Sequence, residues 1–270
     1  MTTYYAVGAT YDGTTNSLAT STGGSPTVAV VTSADTIILD GSSIAIAFTA
    51  DPACALINIE AAFAHTATLS HAFSAAEIEM AATAGTFTTA GYVVTLTGTT
   101  GTVWSYTAGT IDTVSLVVSD TGASSKTLAL GTGTYNLSIA SGGAGAVILD
   151  GTAVTFASFI VTGSSTKTIE FQATETFGFS GAVTFDTGAL VTLASTSSGS
   201  AAVLDIESSW VTDWVSVQDL DAANVTPGVV GYHGVIGTNT SGWILVDSPL
   251  ALPLFPPTTP GAAQFAALVG

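Results

Sequence analysis

One internal repeat narrows the fold of this chain more than any other feature. Thr121-Gly122-Ala123-Ser124-Ser125-Lys126-Thr127-Leu128 recurs 41 residues later as Thr162-Gly163-Ser164-Ser165-Thr166-Lys167-Thr168-Ile169. The offset superposes Lys126 on Lys167, the only two cationic side chains of the lysine or arginine type. A weaker echo, Thr196-Ser197-Ser198-Gly199-Ser200-Ala201-Ala202-Val203-Leu204, follows without the lysine. Self-similarity at a fixed offset marks a chain built by stacking equivalent units. A coil of a parallel β-helix takes roughly 20 residues, so the offset reads as two coils, with a propeller blade of about 40–45 residues as the rival. Propeller blades carry a recurring four-strand signature that is not visible here, so the solenoid is preferred.

Local pattern agrees. Runs such as Thr36–Leu39, Ser43–Phe48, Tyr92–Leu96, Val114–Val118, Tyr135–Ile139, Ala146–Leu149, Lys167–Phe171, Ala182–Phe185 and Ala201–Ile206 place apolar residues at every second position. That is the period of a strand with one buried face. Gly, Ser, Thr and Asn separate the runs at intervals of about 8–12 residues, the spacing of an all-β protein. The one helix candidate, Ala75–Ala82, is short, and Ile78 and Met80 suit a strand equally well. The expected fold is all-β, a right-handed parallel β-helix (β-solenoid) with an N-terminal capping segment over residues 1–247 and a proline-rich C-terminal arm over 248–270.

Charge removes whole classes of function. Charged residues are only 8% of the chain, and 19 acidic residues against two lysines give a net charge of −17. Phosphate contacts rest on Lys and Arg, so no nucleic-acid partner is expected, and anionic lipid is equally disfavoured. The acidity suits a hydroxyl-rich coat kept soluble by self-repulsion. Scarcity of Lys and Arg also removes nearly every trypsin site, as suits life outside a cell. Cys54 is the single cysteine, so no intrachain disulfide and no cysteine-based metal site are expected. It sits in Ala53-Cys54-Ala55-Leu56-Ile57, where a buried thiol acting as a small hydrophobe is the simplest reading. Met1-Thr2-Thr3-Tyr4-Tyr5 has neither a basic region nor a long apolar stretch, so no signal peptide is expected, and no 18-residue apolar run suggests a membrane span.

The tail differs. Pro249, Pro253, Pro256, Pro257 and Pro260 bar residues 248–260 from a central strand. The segment is nonetheless apolar, through Leu250, Leu252, Leu254, Phe255 and, further on, Phe265. These five are the expected partner-binding residues. An extended apolar arm is best satisfied in a groove of a neighbouring subunit, so a homo-oligomer is expected, with a trimer as the first form to test.

Several short motifs carry a resemblance. The chain opens with Tyr5-Ala6-Val7-Gly8, then Thr22-Gly23-Gly24, then Ala34-Asp35-Thr36-Ile37-Ile38-Leu39-Asp40. It closes with Trp214-Val215-Ser216-Val217-Gln218-Asp219-Leu220-Asp221 and Asn239-Thr240-Ser241-Gly242-Trp243-Ile244. In this order of features, over about residues 4–246, it resembles a group of repeat-rich β-solenoid surface and virion proteins of bacteria and tailed phages. The resemblance implies the fold and a surface or virion setting, and it brings no catalytic residues. With the solenoid, the missing export signal, the scarcity of trypsin sites and the apolar arm, it sets the functional expectation. That expectation is a non-enzymatic virion structural protein (capsid decoration, head fibre or tail appendage) whose partners are its own copies and other virion proteins. The alternative is a secreted or cell-surface adhesin that binds carbohydrate, and a polysaccharide lyase comes third.

Glu170, Glu175, Asp186, Asp205 and Glu207 are the carboxylates that a glycan-cleaving solenoid would group on one face, acid beside base. Scattered among Thr and Ser, they read as coat or turn positions, so no catalytic residue and no cofactor are expected. His65 and His71 lack an evident third ligand, with His233 far away, so no metal site is expected. Asp213, Asp219, Asp221 and Asp247 have no Asp-x-Asp-Gly loop to support calcium. Trp210, Trp214 and Trp243 read as a plug for the end of the rod rather than as a sugar platform. Thr-x-Thr pairs such as Thr97-Gly98-Thr99 raise ice binding, but they recur at no fixed period.

Overall fold

A computed structural model describes residues 1–245 except 121, 208–210, 213, 225–227 and 231–233. Within those residues there is no helix, and the chain winds as a parallel β-solenoid with three faces. Segments 208–210 and 246–270 lie outside the description, so Trp210 and the five arm residues Leu250, Leu252, Leu254, Phe255 and Phe265 receive no structural account.

The first face stacks Thr36–Leu39, Cys54–Ile59, the second half of Phe73–Met80, Gly101–Tyr106, Lys126–Ala129, Val147–Asp150, Lys167–Phe171, Val191–Ser195 and Val215–Gln218, all parallel. The second face begins with Thr10–Tyr11, Ile46–Phe48, Thr66–Leu69, Thr86–Thr88 and Thr110–Ile111. The third stacks the start of Phe73–Met80, Val93–Leu96 and Val114–Asp120. Later coils use one long strand for two faces: Gly133–Ser141, Val154–Gly163 and Thr176–Asp186 each bend from the second face to the third. The bends fall at irregularities of register, between Tyr135 and Asn136 and between Phe156 and Ser158, as bulges do when they turn a strand.

Period-two patterning drives this geometry. Lys167–Phe171 and Val191–Ser195 both alternate buried and half-buried residues. Parallel stacking then piles like on like: Ile37, Ile57, Ile78, Trp104, Leu128, Leu149 and Phe171 form one inward column. Steps along that column run from 20 to 26 residues. Corners of different length therefore conceal the coil period in the sequence. The Ala75–Ala82 helix candidate is in fact the strand Phe73–Met80, with Ile78 and Met80 both inward. At the N-terminal end, Leu18–Ala19 pairs antiparallel with Thr3–Ala6 and Leu18 with Val28, which covers backbone that would otherwise end the stack unpaired.

The core is one continuous apolar column. Its densest stretch is a cluster of Phe156, Phe159, Phe171, Phe177 and Phe179, with ring centroids 5.1–6.5 Å apart. Cys54 is buried, and desolvation pushes its thiol up to about 12, so it behaves as a hydrophobe.

Lys126 and Lys167 occupy the same face two rungs apart, and both point inward. Stacking sets Ile169, rather than Lys167, over Lys126, because Lys126 pairs with Val147 and Val147 with Ile169. The sequence repeat and the structural register thus differ by two residues, a slip that preserves the inward parity. Only 1% of each lysine is exposed. The Lys167 ammonium donates to the carbonyls of Gly143 (2.9 Å) and Gly145 (2.7 Å), which belong to the corner of the preceding coil. Lys126 lies beneath its own corner, its Nζ 3.6 Å from where a Cβ on Gly122 would stand. Desolvation lowers the pKa of both amines.

Candidate binding surface

With both lysines inside, the described exterior carries hydroxyls, small apolar groups and carboxylates, and no lysine or arginine side chain. Outward ranks on the third face read Val93, Ser115, Asn136, Ser158 and, one rank along, Val117, Ser138, Ile160, Thr184. On the second face Thr66, Thr86 and Thr110 stack directly, and so do Thr68 and Thr88. The Thr-x-Thr pairs that stack are therefore Thr66/Thr68 and Thr86/Thr88, 20 residues apart, while Thr97 and Thr99 fall in the corner after Val93–Leu96. This array ends at Asp112, which accepts a hydrogen bond from the Thr88 hydroxyl and another from the Thr89 amide at 3.0 Å.

Most aspartates of the N-terminal half do local structural work. Asp12 accepts from the amides of Thr14 and Thr15, Asp35 from those of Thr2 and Thr32, and Asp51 from those of Ala53 and Ser74. Hydrogen bonds led by the Thr15 amide hold the Asp12 carboxyl well below its usual range, and those led by the Thr32 hydroxyl do the same for Asp35. Burial pushes Asp40 up, but hydrogen bonds from Ser42, Ser43 and Thr22 outweigh it, and the net shift is downward. Near the C-terminal end Asp219 accepts from the Gly199 amide and the Asn239 side chain, both at 3.0 Å, and Asp221 accepts from Ser241 at 2.8 Å. These two aspartates tie one coil to the next. Asp213 and Asp247 lie outside the described residues.

The carboxylates considered for catalysis are distributed around the solenoid. Glu170 is outward on the first face between Ile148 and Ala194, Asp186 ends a third-face strand opposite Thr162, and Asp205 is on the second face opposite Gly178 and Ala223. Glu175 and Glu207 flank the second-face strands that start at Thr176 and end at Ile206. His65 stands exposed beside Phe63, with ring centroids 6.0 Å apart, and His71 is exposed against its neighbouring carbonyl, that of Ala72, at 2.7 Å. His233 lies outside the described residues. Among the described residues no three His, Cys, Asp or Glu side chains group as metal ligands.

The tryptophan plug needs correction. Trp214 is 40% exposed, because its positive φ of 56° turns it away from the inward column that Val215 and Val217 continue. Trp243 packs on the core with its Nε1 donating to the Leu220 carbonyl at 2.9 Å.

A concavity not anticipated from the sequence interrupts the exterior, and a smaller one lies on the third face between Val93 and Ile160. The larger lies open to solvent at the corner between the first and second faces, has a volume of about 310 Å³, and is lined by Tyr106, Thr107, Ala129, Thr132, Asp150 and Thr152 with their intervening backbone. Ser105, Ala129 and Asp150 stack in one outward rank. Ala129 is the small member of that rank, so the surface dips between its neighbours. Gly131 deepens the dip: a Cβ there would stand 1.6 Å from the Tyr106 ring, so only glycine lets this corner close onto the tyrosine. The Tyr106 hydroxyl is fixed by donation to the Gly109 carbonyl at 2.6 Å. The available signal was the pair of corners Gly131-Thr132 and Gly151-Thr152, 20 residues apart, which marks one coil rather than two.

No family model, curated protein or solved structure matches this chain.

Proposed function

We propose that the chain is a non-enzymatic structural protein of a virion (a capsid decoration, head fibre or tail appendage) that presents a neutral-to-acidic, hydroxyl-rich surface. One observation carries this reading: the only two lysines are buried inside the solenoid, Lys167 as a corner brace, which leaves an exterior without lysine or arginine. Such a surface resists trypsin and repels nucleic acid and anionic membranes, as suits a coat exposed outside cells. Parallel stacking adds a rigid rod whose length is set by coil number, a geometry suited to display.

On this reading the apolar arm residues Leu250, Leu252, Leu254, Phe255 and Phe265 seat the rod on a second copy or on another virion protein. Immunodetection on purified particles tests the setting, and a protein found only in the soluble fraction of lysed cells would refute it. Removal of residues 248–270 is expected to lower the mass in solution to that of a monomer, or to abolish incorporation into particles. An unchanged oligomer that incorporates normally would remove the arm from the proposal.

A further inference from the structure

We infer that the corner groove between Tyr106 and Asp150 is a binding site for a neutral hexose unit of a glycan. This goes beyond the virion reading and holds whether or not the chain belongs to a particle.

The first support is the state of Asp150. Asp12, Asp35, Asp40, Asp51, Asp112, Asp219 and Asp221 each accept hydrogen bonds that close a turn or join two coils. Among the described residues no protein group donates to the Asp150 carboxylate, although its residue is half-buried and its backbone carbonyl is engaged by the Leu130 amide at 2.6 Å. An acceptor with two oxygens thus faces a concavity with its hydrogen-bonding capacity unused. Adjacent sugar hydroxyls are suitable donors, since a carboxylate accepts two O–H bonds side by side.

The opposite wall supplies complementary chemistry. Thr107, Thr132 and Thr152 are exposed along successive corners, and among the described residues the one hydrogen bond their hydroxyls make is long, from Thr132 to the Thr152 carbonyl at 3.5 Å. Their hydroxyls can both donate and accept, as the hydroxyls of a pyranose do. Tyr106 contributes an aromatic wall whose position is locked by Gly131 and Gly109, so little side-chain entropy is lost when a ligand packs against it. A volume of about 310 Å³ sits at the low end for small-molecule sites and suits one or two sugar rings rather than a long chain.

Charge sets the class of sugar. The groove holds a carboxylate and no cation, and the chain carries a net charge of −17. Uronic and sialic acids would meet repulsion with no compensating partner, whereas neutral hexoses would not.

The test is calorimetric titration of the full chain with glucose, galactose, mannose, N-acetylglucosamine and their disaccharides, with glucuronic and sialic acids as controls. At least one neutral sugar is expected to bind with a dissociation constant near the millimolar range, and the acids are expected not to bind. Ala129→Leu fills the dip from an outward, half-buried position and is expected to weaken binding at least tenfold while circular dichroism and the melting temperature stay unchanged. Asp150→Ala, which removes no internal hydrogen bond, is expected to do the same and guards against a repacking effect in the first variant. Absence of binding by every neutral sugar would overturn the inference, as would binding that both variants retain, since the site would then lie elsewhere.

Discussion

Corners of the N-terminal coils and corners of the middle coils solve the same problem with opposite charges. A solenoid corner leaves backbone groups without ladder partners. Around Asp12, Asp35, Asp40 and Asp51 the orphan groups are amides, and a carboxylate accepts from them, in the open at Asp51 and within the corner at the buried Asp35 and Asp40. Around Gly143 and Gly145 the orphans are carbonyls, and the Lys167 ammonium donates to them from inside the coil. The aspartate solution costs little where the carboxylate stays hydrated, as at Asp51, and at the buried Asp40 several hydrogen bonds outweigh the desolvation. The lysine solution strips an ammonium of solvent, and the lowered pKa of both lysines records that cost. Sign and location are linked: a short aspartate reaches a turn from outside, whereas a long lysine stem can cross the apolar interior and deliver its head to the next corner.

The comparison breaks most readily at Lys167. Lys167→Ala is expected to destabilise by about 2–4 kcal/mol, because two buried carbonyls lose a charged donor and a cavity opens beside them. Lys167→Met fills the cavity but leaves the carbonyls unpaired, so it should recover only part of the loss. Urea unfolding monitored by hydrogen exchange in strands 147–150 and 167–171 reads both variants. Full recovery in Lys167→Met would mean that the stem, and not the ammonium, braces the corner.

Asp40→Ala is expected to cost less, about 1–2 kcal/mol, in line with the loss of a capping side chain. Its effect should be confined to the first coils. A loss that spread to the phenylalanine cluster would show the solenoid to be more cooperative than nearest-neighbour stacking allows.

Acidity separates the two regions by pH window: both gain stability as pH rises, the aspartates below 3.8 and the lysines below 10.5. Asp12, Asp35 and Asp40 have folded pKa values below the ordinary 3.8, so their stabilisation is complete above that value and fades as pH falls through the lowered values. Lys126 and Lys167 are lowered from 10.5, so the fold binds fewer protons there than the unfolded chain does. Their region should therefore gain stability as pH rises from the folded value toward 10.5. Tyr11 and Tyr135 are raised above 10.0 and act in the opposite sense beyond that pH, so the alkaline arm is best read below it. Hydrogen exchange by segment, corrected for the intrinsic rate, should show the N-terminal coils opening first in acid. Simultaneous opening of both regions would erase the distinction.

Much of this architecture could be read from residue order, and the reasons are physical. Thr36–Leu39 and Lys167–Phe171 are strands with the bounds their alternation implies, because each has one buried face and small polar residues on either side. The long strands Val154–Gly163 and Thr176–Asp186 were only partly visible, since a bulge shifts the alternation midway and divides one strand into two patterns. The lysines were legible as a repeat but not as interior groups, because nothing local to Lys167 reveals that glycine carbonyls 22 and 24 residues earlier await a donor. The Tyr106 groove escaped for a related reason: Ala129 and Gly131 matter through what stacks above and below them, and corners of unequal length conceal that register.

The smallest effect is expected on the exterior carboxylates that cap nothing. Glu170 projects from the first face between Ile148 and Ala194, and Asp186 from the end of a third-face strand opposite Thr162. Neither meets the other, since they lie on different faces of the rod. Glu170→Gln and Asp186→Asn keep shape and remove one charge each. Surface substitutions of this kind usually stay within about 0.5 kcal/mol. At a net charge of −17, relief of self-repulsion should make the sign slightly favourable and the gain should shrink as salt is added. Thermal melts at low and high ionic strength measure this, and turnover of host polysaccharide measured alongside should be nil for the parent and both variants. A loss above 1 kcal/mol from either amide would show that the middle coils also rely on outward carboxylates. Glycan cleavage by the parent that disappeared in one amide would make that carboxylate a catalytic group and end the non-enzymatic reading of the surface.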